Sequence, residues 1–195
     1  MTTLTKNIED VRQMLPQLQA LQPKVDAAAA AISKTLLAGG RLLACGNGGS
    51  AADASHLTTE FVCRFNQDRK PYAAISLATH GGDITAIGND YAFEDIFARQ
   101  VDAFSRPGDV LAAFTTSGAS ENVRRALVTA KQLGLTTISF LGKNGGKCAG
   151  LADIEMIVPG TITARIQEGH KLLLHTICEM VDETLQAAEA KPKNS

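Results

Sequence analysis

The chain has 195 residues, a formal net charge of −1 and 45% hydrophobic residues. That length suits one domain with a substantial core and leaves two full domains cramped. The near-neutral balance removes any global electrostatic reason to bind nucleic acid or an anionic membrane, and no run approaches the apolar length of a membrane span. Tryptophan is absent and aromatics are few, so Ala, Leu, Ile and Val must build the core. Cys45, Cys63, Cys148 and Cys178 are scattered without a C-x-x-C pair, and Cys45 and Cys178 fall in apolar stretches. Reduced thiols and a cytoplasmic location follow as the expectation. The opening MTTLTKNIEDVRQML is charged throughout and lacks the apolar centre of a signal peptide.

Apolar positions Ile8, Val11, Met14, Leu15, Leu18 and Leu21 predict a helix over 8–21, and a second runs from 25 to 37 before Gly39-Gly40. Preceding the first strand and lacking a sheet partner, the two read as an N-terminal hairpin (1–38) for self-association, with packing on their own domain as the alternative. An α/β core is expected over 39–190 and a polar, frayed tail over 191–195.

The stretch from Arg41 to Phe61, RLLACGNGGSAADASHLTTEF, concentrates the chemistry. Leu42 to Cys45 suit a strand buried on both faces and ended by Gly46. Asn47, Gly48 and Gly49 allow a tight turn with its amides outward, and Ser50 reads as the N-cap of a helix favoured by Ala51, Ala52 and Ala54. Strand, turn and helix N-terminus together form an anion site. His56 and Glu60, four residues apart, share one face of that helix roughly 9 to 15 Å from its start at about 1.5 Å per residue. They offer a base and a possible metal-ligand pair, the alternative being a solvated His/Glu pair on a packing helix. The glycine spacing matches neither a Walker loop nor the dinucleotide fingerprint.

A second strand is predicted over 73–77. A loop-rich region around one short helix follows over 79–90, holding His80, which reads as a surface residue, and Gly88-Asn89-Asp90. A helix is expected over 91–104 and a third strand over 110–114. That strand ends in Thr115-Thr116-Ser117-Gly118-Ala119-Ser120 ahead of a helix over 121–133. Such a hydroxyl-rich turn can hold a phosphate without any cation, although Ser120 could be only an N-cap. Further strands are predicted over 136–141 and 154–158, then a long helix over 164–188 embedding Gln167, His170 and His175. Read from that helix's apolar stripe alone, His170 and His175 are buried, hydrogen-bonded histidines. Apolar strands alternating with helices predict a doubly wound, five-stranded parallel α/β sheet with right-handed crossovers. Its two polar turns would share one crevice at the carboxyl edge.

The succession CGNGGSAADASH, GND, TTSGAS and ARIQEGH…H closely resembles the SIS (sugar isomerase) family, and within it the phosphoheptose isomerases, over the whole chain. The resemblance implies isomerisation of sedoheptulose 7-phosphate to D-glycero-D-manno-heptose 7-phosphate through an enediol, for heptose precursors of the lipopolysaccharide core. It implies sugar-phosphate contacts from Asn47, Gly48, Gly49, Ser50, Asn89, Asp90, Thr115, Thr116, Ser117 and Ser120, with Glu60 and Gln167 also touching substrate. It further implies one zinc per subunit on His56, Glu60, Gln167 and His175, and homotetramers with sites at subunit junctions. Thr115 departs from the usual serine but keeps the hydroxyl. On this reading Glu60 shuttles the carbon proton and His175 serves the oxygens. Gln167 and His175 lie about 12 Å apart along a helix and about 80° around it, so one ion cannot take both from a straight helix. Two subunits per site or a distorted helix would be required. Non-catalytic relatives that bind a replication initiator lack the residues corresponding to Glu60 and His175, both present here. No helix-turn-helix extension or basic arm marks a DNA-binding sensor.

Overall fold

Five short strands, β1 (Leu42–Gly46), β2 (Ala74–Ser76), β3 (Val110–Thr115), β4 (Thr136–Gly142) and β5 (Ile154–Val158), form one sheet in the computed structural model, which describes residues 1–190. The expected frayed tail, 191–195, lies outside the described residues. All pairings are parallel and the order is β2-β1-β3-β4-β5. Every residue of β1 and β3 is buried, as continuous apolar strands covered on both faces require.

Among the described residues seven α-helices flank the sheet: α1 (Thr3–Gln19), α2 (Gln22–Leu37), α3 (Gly49–Val62), α4 (Gly81–Asp90), α5 (Ile96–Phe104), α6 (Glu121–Gln132) and α7 (Thr163–Glu189). Alternate strand residues divide the core in two. Leu42, Ala44, Val110, Ala112, Phe114, Ile138 and Phe140 pack with α1, α2, α3 and α7. Leu43, Cys45, Leu111, Ala113 and Leu141 face α5 and α6 on the other side. This is the predicted doubly wound sheet. The order reverses between β1 and β3, so the crevice above their carboxyl ends is the switch point at which such sheets bind ligands.

The two expected N-terminal helices are present, and α2 follows the alternative of packing on its own domain, burying Val25, Ala28, Ala29, Ile32 and Leu36 against α7 and β5. Helix α1 keeps an outer apolar face, with Leu4, Ile8 and Leu15 exposed. Three other expectations need correction. The region 79–90 is mostly the ten-residue α4, and the single helix expected over 91–104 is broken. Extended Ala92 separates Tyr91 from a 3₁₀ turn (Phe93–Asp95) that leads into α5. Ser50 is not the N-cap of α3; Gly48 is, at φ 56° and ψ −121°, backbone that a side chain would forbid.

His170 ties α7 to the sheet. It is fully buried against Phe114 and Phe140, and its Nε2–H donates to the Leu141 carbonyl at 2.9 Å. Burial holds its pKa below the ordinary value of 6.5, against the opposing pull of that carbonyl. Below about pH 6.5 the unfolded imidazole takes up a proton that the folded one refuses, so stability present above that pH is lost as pH falls. Tm should drop between pH 7 and pH 5.5. The drop should be smaller in His170→Gln, whose amide can still donate to Leu141; an identical slope in calorimetry would refute this assignment.

Candidate active site

Two loops meet at the switch point. After β1, Ser50 N donates to Asn47 O at 3.0 Å, and Ala51 N and Ala52 N donate to Gly48 O, which leaves the amides of Gly48 and Gly49 without a partner among the described residues. After β3, Thr115 Oγ1 lies 3.4 Å from Ser117 Oγ and 3.2 Å from Ser120 Oγ, and accepts from Gly118 N. Ser120 occupies the N-cap position of α6 yet bonds no helical amide, its hydroxyl being turned to Thr115. Asn47 and buried Asn122 join the loops through reciprocal amide bonds of 2.8 and 3.0 Å. Free amides, hydroxyls and the N-termini of α3 and α6 thus surround one point, an arrangement suited to a phosphate.

The β3–α6 loop is pinned from behind. Gly118 has φ +63°, and a Cβ there would sit 2.0 Å from the Gly145 carbonyl oxygen. Its own carbonyl accepts from Cys148 N at 2.9 Å.

A second constellation lies further along the seam between α3 and α7. These helices run side by side in the same direction. The Gln167 amide lies against Gly49, where a Cβ would meet Nε2 at 2.1 Å. One turn on, Lys171 Nζ is 2.8 Å from buried Asp53 Oδ1 and 2.9 Å from His56 Nδ1. One turn further, His56 Nε2 is 2.6 Å from Glu60 Oε1 and 3.4 Å from His175 Nε2, the rings meeting edge to face. Beyond them, buried Arg69 pairs with Asp182 of α7 at 2.5 Å and donates to the carbonyls of Glu60 and Phe61. That guanidinium closes the last turn of α3 and fixes it to α7. The pKa of His175 is held below its ordinary value, first by burial and then by His56 and Lys171. Its imidazole is therefore neutral near pH 7, able to accept a proton at one nitrogen and donate at the other.

Three of the four expected metal ligands converge. Donor atoms of His56, Glu60 and His175 all lie within 4.8 Å of one another, and two imidazoles with a carboxylate are a donor set that zinc accepts. Gln167 does not join them within one chain. Helix α7 is unbroken from Thr163 to Glu189, so the distorted-helix alternative is not observed. Asn89 and Asp90 stand on the exposed end of α4, where Asn89 Nδ2 donates to Asp90 Oδ1 at 2.8 Å and neither bonds any other candidate residue. Thr116 is half-buried on the β3 loop, and Ser50 is buried in the first turn of α3.

A family model for the SIS domain matches residues 7–142. The chain belongs to the SIS domain family. Among SIS proteins it is 53% identical to the phosphoheptose isomerase of Aquifex aeolicus over 152 residues, covering 78% of this chain and 80% of that one. It is 47% identical to the phosphoheptose isomerase of Geotalea daltonii over 167 residues, covering 86% and 87%. The structure of a phosphoheptose isomerase from Francisella tularensis superposes with a TM-score of 0.89 at 38% identity, over 94% of this chain and all of that one.

Asn122, Asp53, Lys171 and Arg69 were not singled out from the sequence of this SIS domain. The signal for two of them was available, since Gly49, Asp53, His56 and Glu60 recur at helical spacing on α3, as do Gln167, Lys171 and His175 on α7. Gly118→Ala should destabilise the fold by about 1–3 kcal/mol from the left-handed backbone alone, with the clash against Gly145 added. Denaturant unfolding checks it, and a loss under about 0.5 kcal/mol would show that the loop yields.

Proposed function

We propose that this chain is an aldose–ketose isomerase that interconverts sedoheptulose 7-phosphate and D-glycero-D-manno-heptose 7-phosphate through an enediol, in the cytoplasm, for heptose precursor synthesis. The observation that carries the reading is the meeting of Glu60, His56 and His175, residues far apart in the chain, at one point of the α3–α7 seam. The name shared by relatives spanning most of the chain supports the substrate.

The reaction moves one proton between adjacent carbons, and a second proton between the two oxygens. In this reading Glu60 takes the carbon-bound proton and returns it to the neighbouring carbon. Neutral His175 beside it can hand a proton to one oxygen and receive one from the other. The amides of Gly48 and Gly49 and the hydroxyls of Thr115, Ser117 and Ser120 would hold the phosphate. Zinc held by His56, Glu60 and His175 would supply a Lewis acid for the carbonyl and enediolate oxygens.

Gly49 and Glu60 are three turns apart on α3, about 16 Å at 1.5 Å per residue. An extended seven-carbon sugar phosphate is shorter than that. The gap supports a site completed by a second copy, with the phosphate crevice and Gln167 of one copy facing the Glu60 cluster of another, as in a homotetramer with sites at subunit junctions.

Purified protein should convert sedoheptulose 7-phosphate to the aldose. Glu60→Gln should lose at least about 100-fold in kcat while keeping its circular dichroism. Retained turnover would remove Glu60 from this role, and no aldose product with or without added zinc would favour a non-catalytic adaptor. Mixing and reassembling inactive Glu60→Gln with an inactive Ser117→Ala/Ser120→Ala variant should restore part of the activity. No recovery, despite mixed tetramers in native mass spectra, would sink the shared site.

A further inference from the structure

Helix α3 ends without the usual local devices. Its last turn holds no basic residue, and Cys63, Arg64 and Phe65 follow it where a closing glycine is common. Cys63 N donates to Thr59 O, so the carbonyls of Glu60 and Phe61 are the next that the helix cannot satisfy from within. Both are satisfied from outside. Arg69 Nη2 donates to Glu60 O at 2.6 Å and Nη1 to Phe61 O at 3.1 Å, while Tyr72 N donates to Phe61 O at 3.0 Å. The guanidinium charge also suits the negative end of the helix dipole.

The arginine that closes this end is itself held on every side. Its side chain is 1% exposed, and its guanidinium carbon lies 5.9 Å from the Phe61 ring centre and 5.5 Å from that of Tyr72. Its Nε donates to Asp182 Oδ1, and Gln186 Nε2 donates to the other carboxylate oxygen, Oδ2, at 2.9 Å. Asp182 follows His175 by seven residues, two turns along the same side of α7. The bonds therefore run from the Glu60 backbone through Arg69 to Asp182, and back along α7 to the imidazole that lies within 4.8 Å of the Glu60 carboxylate.

We infer that Arg69, held by Asp182, is a positioning residue that fixes the reach of the Glu60 carboxylate across the seam towards His175. Glu60 is third from the end of its helix, in the turn that frays first, and a reacting group displaced by about 1 Å costs on the order of 100-fold in rate. One planar fork bonded to two successive carbonyls fixes both the rise and the rotation of that turn. Stability alone does not call for an ion pair here, because well-packed apolar residues of similar volume are often as stable at a buried site. What apolar residues cannot supply is the pair of donors to Glu60 and Phe61. This inference rests on the proposed role of Glu60.

The test uses the full chain. Arg69→Met/Asp182→Leu removes both charges together and strands neither. Well below its Tm this variant should lose at least about 10-fold in kcat on sedoheptulose 7-phosphate, with KM within about threefold of the wild type. Amide exchange over 58–63, followed by mass spectrometry, should quicken at least about 10-fold while exchange over 49–55 stays unchanged. Arg69→Lys keeps a charge beside Asp182 but lacks the planar fork. It should show the same two changes, and it carries the test should the double variant not fold. Val101→Ala, a truncation in the core on the opposite face of the sheet, reads what lost stability alone does, and its kcat should stay near wild type. An equal kcat loss in Val101→Ala, kcat within about twofold of wild type in the Arg69 variants, or unchanged exchange over 58–63 would overturn the inference. Failure of the isomerase reading would appear separately, as no turnover by the wild type with the exchange contrast at the end of α3 still present.

Discussion

The polar seam between α3 and α7 is the constraint on which the candidate site depends. Both helices follow strands of one parallel sheet on the same face, and so advance together from its carboxyl edge. Residues at turn spacing on one therefore meet their counterparts on the other in register: Gly49 with Gln167, Asp53 with Lys171, His56 and Glu60 with His175. Apolar neighbours such as Ala54, Leu57, Leu174 and Cys178 exclude water beside the seam. At the buried members, Asp53 and the Arg69–Asp182 pair, each polar group depends more strongly on the presence of its partner. The seam ends in the buried Arg69–Asp182 pair. Removing either member would leave a buried charge alone, a cost of about 3–5 kcal/mol.

The phosphate crevice is built on a different principle. It has few charges and many backbone groups. A turn that needs positive φ at Gly48, the close approach of Gly118 to Gly145 and the Asn47–Asn122 amide pair fix the donors before any ligand arrives. Preorganised dipoles of this kind bind an anion without the ordering cost that a flexible lysine would bring.

Much of this was legible in the sequence. The apolar runs at 42–45 and 110–114 read as buried strands and the segments at 136–141 and 154–158 as further strands, and the glycine and hydroxyl turns after the first and third announced a shared crevice. Sheet order was not readable, because every strand carries the same apolar signature. Ser50 was expected to cap α3 on composition; the close packing of this turn gave the cap to Gly48 and buried the serine instead. The break at Ala92 was hidden because the residues on both sides have ordinary helical composition. His56, Glu60 and His175 were expected together, while Gln167 of the same chain lies at Gly49, since an unbroken helix cannot bend eight residues onto one point. Arg69 carries no local sign of its role, because nothing near it in the sequence reveals that its partner lies in the last helix.

The far third of α7 holds no candidate catalytic group, yet it supplies Asp182 to Arg69 and Glu189 to the Tyr72 hydroxyl. Those two bonds are what dock the connection that follows α3. On the ribosome, where earlier segments fold first, the Glu60 turn therefore emerges long before its anchor exists. Maturation of this centre has to wait until translation has passed Glu189, and nascent chains stalled short of that point would carry every expected ligand in a loosely held form.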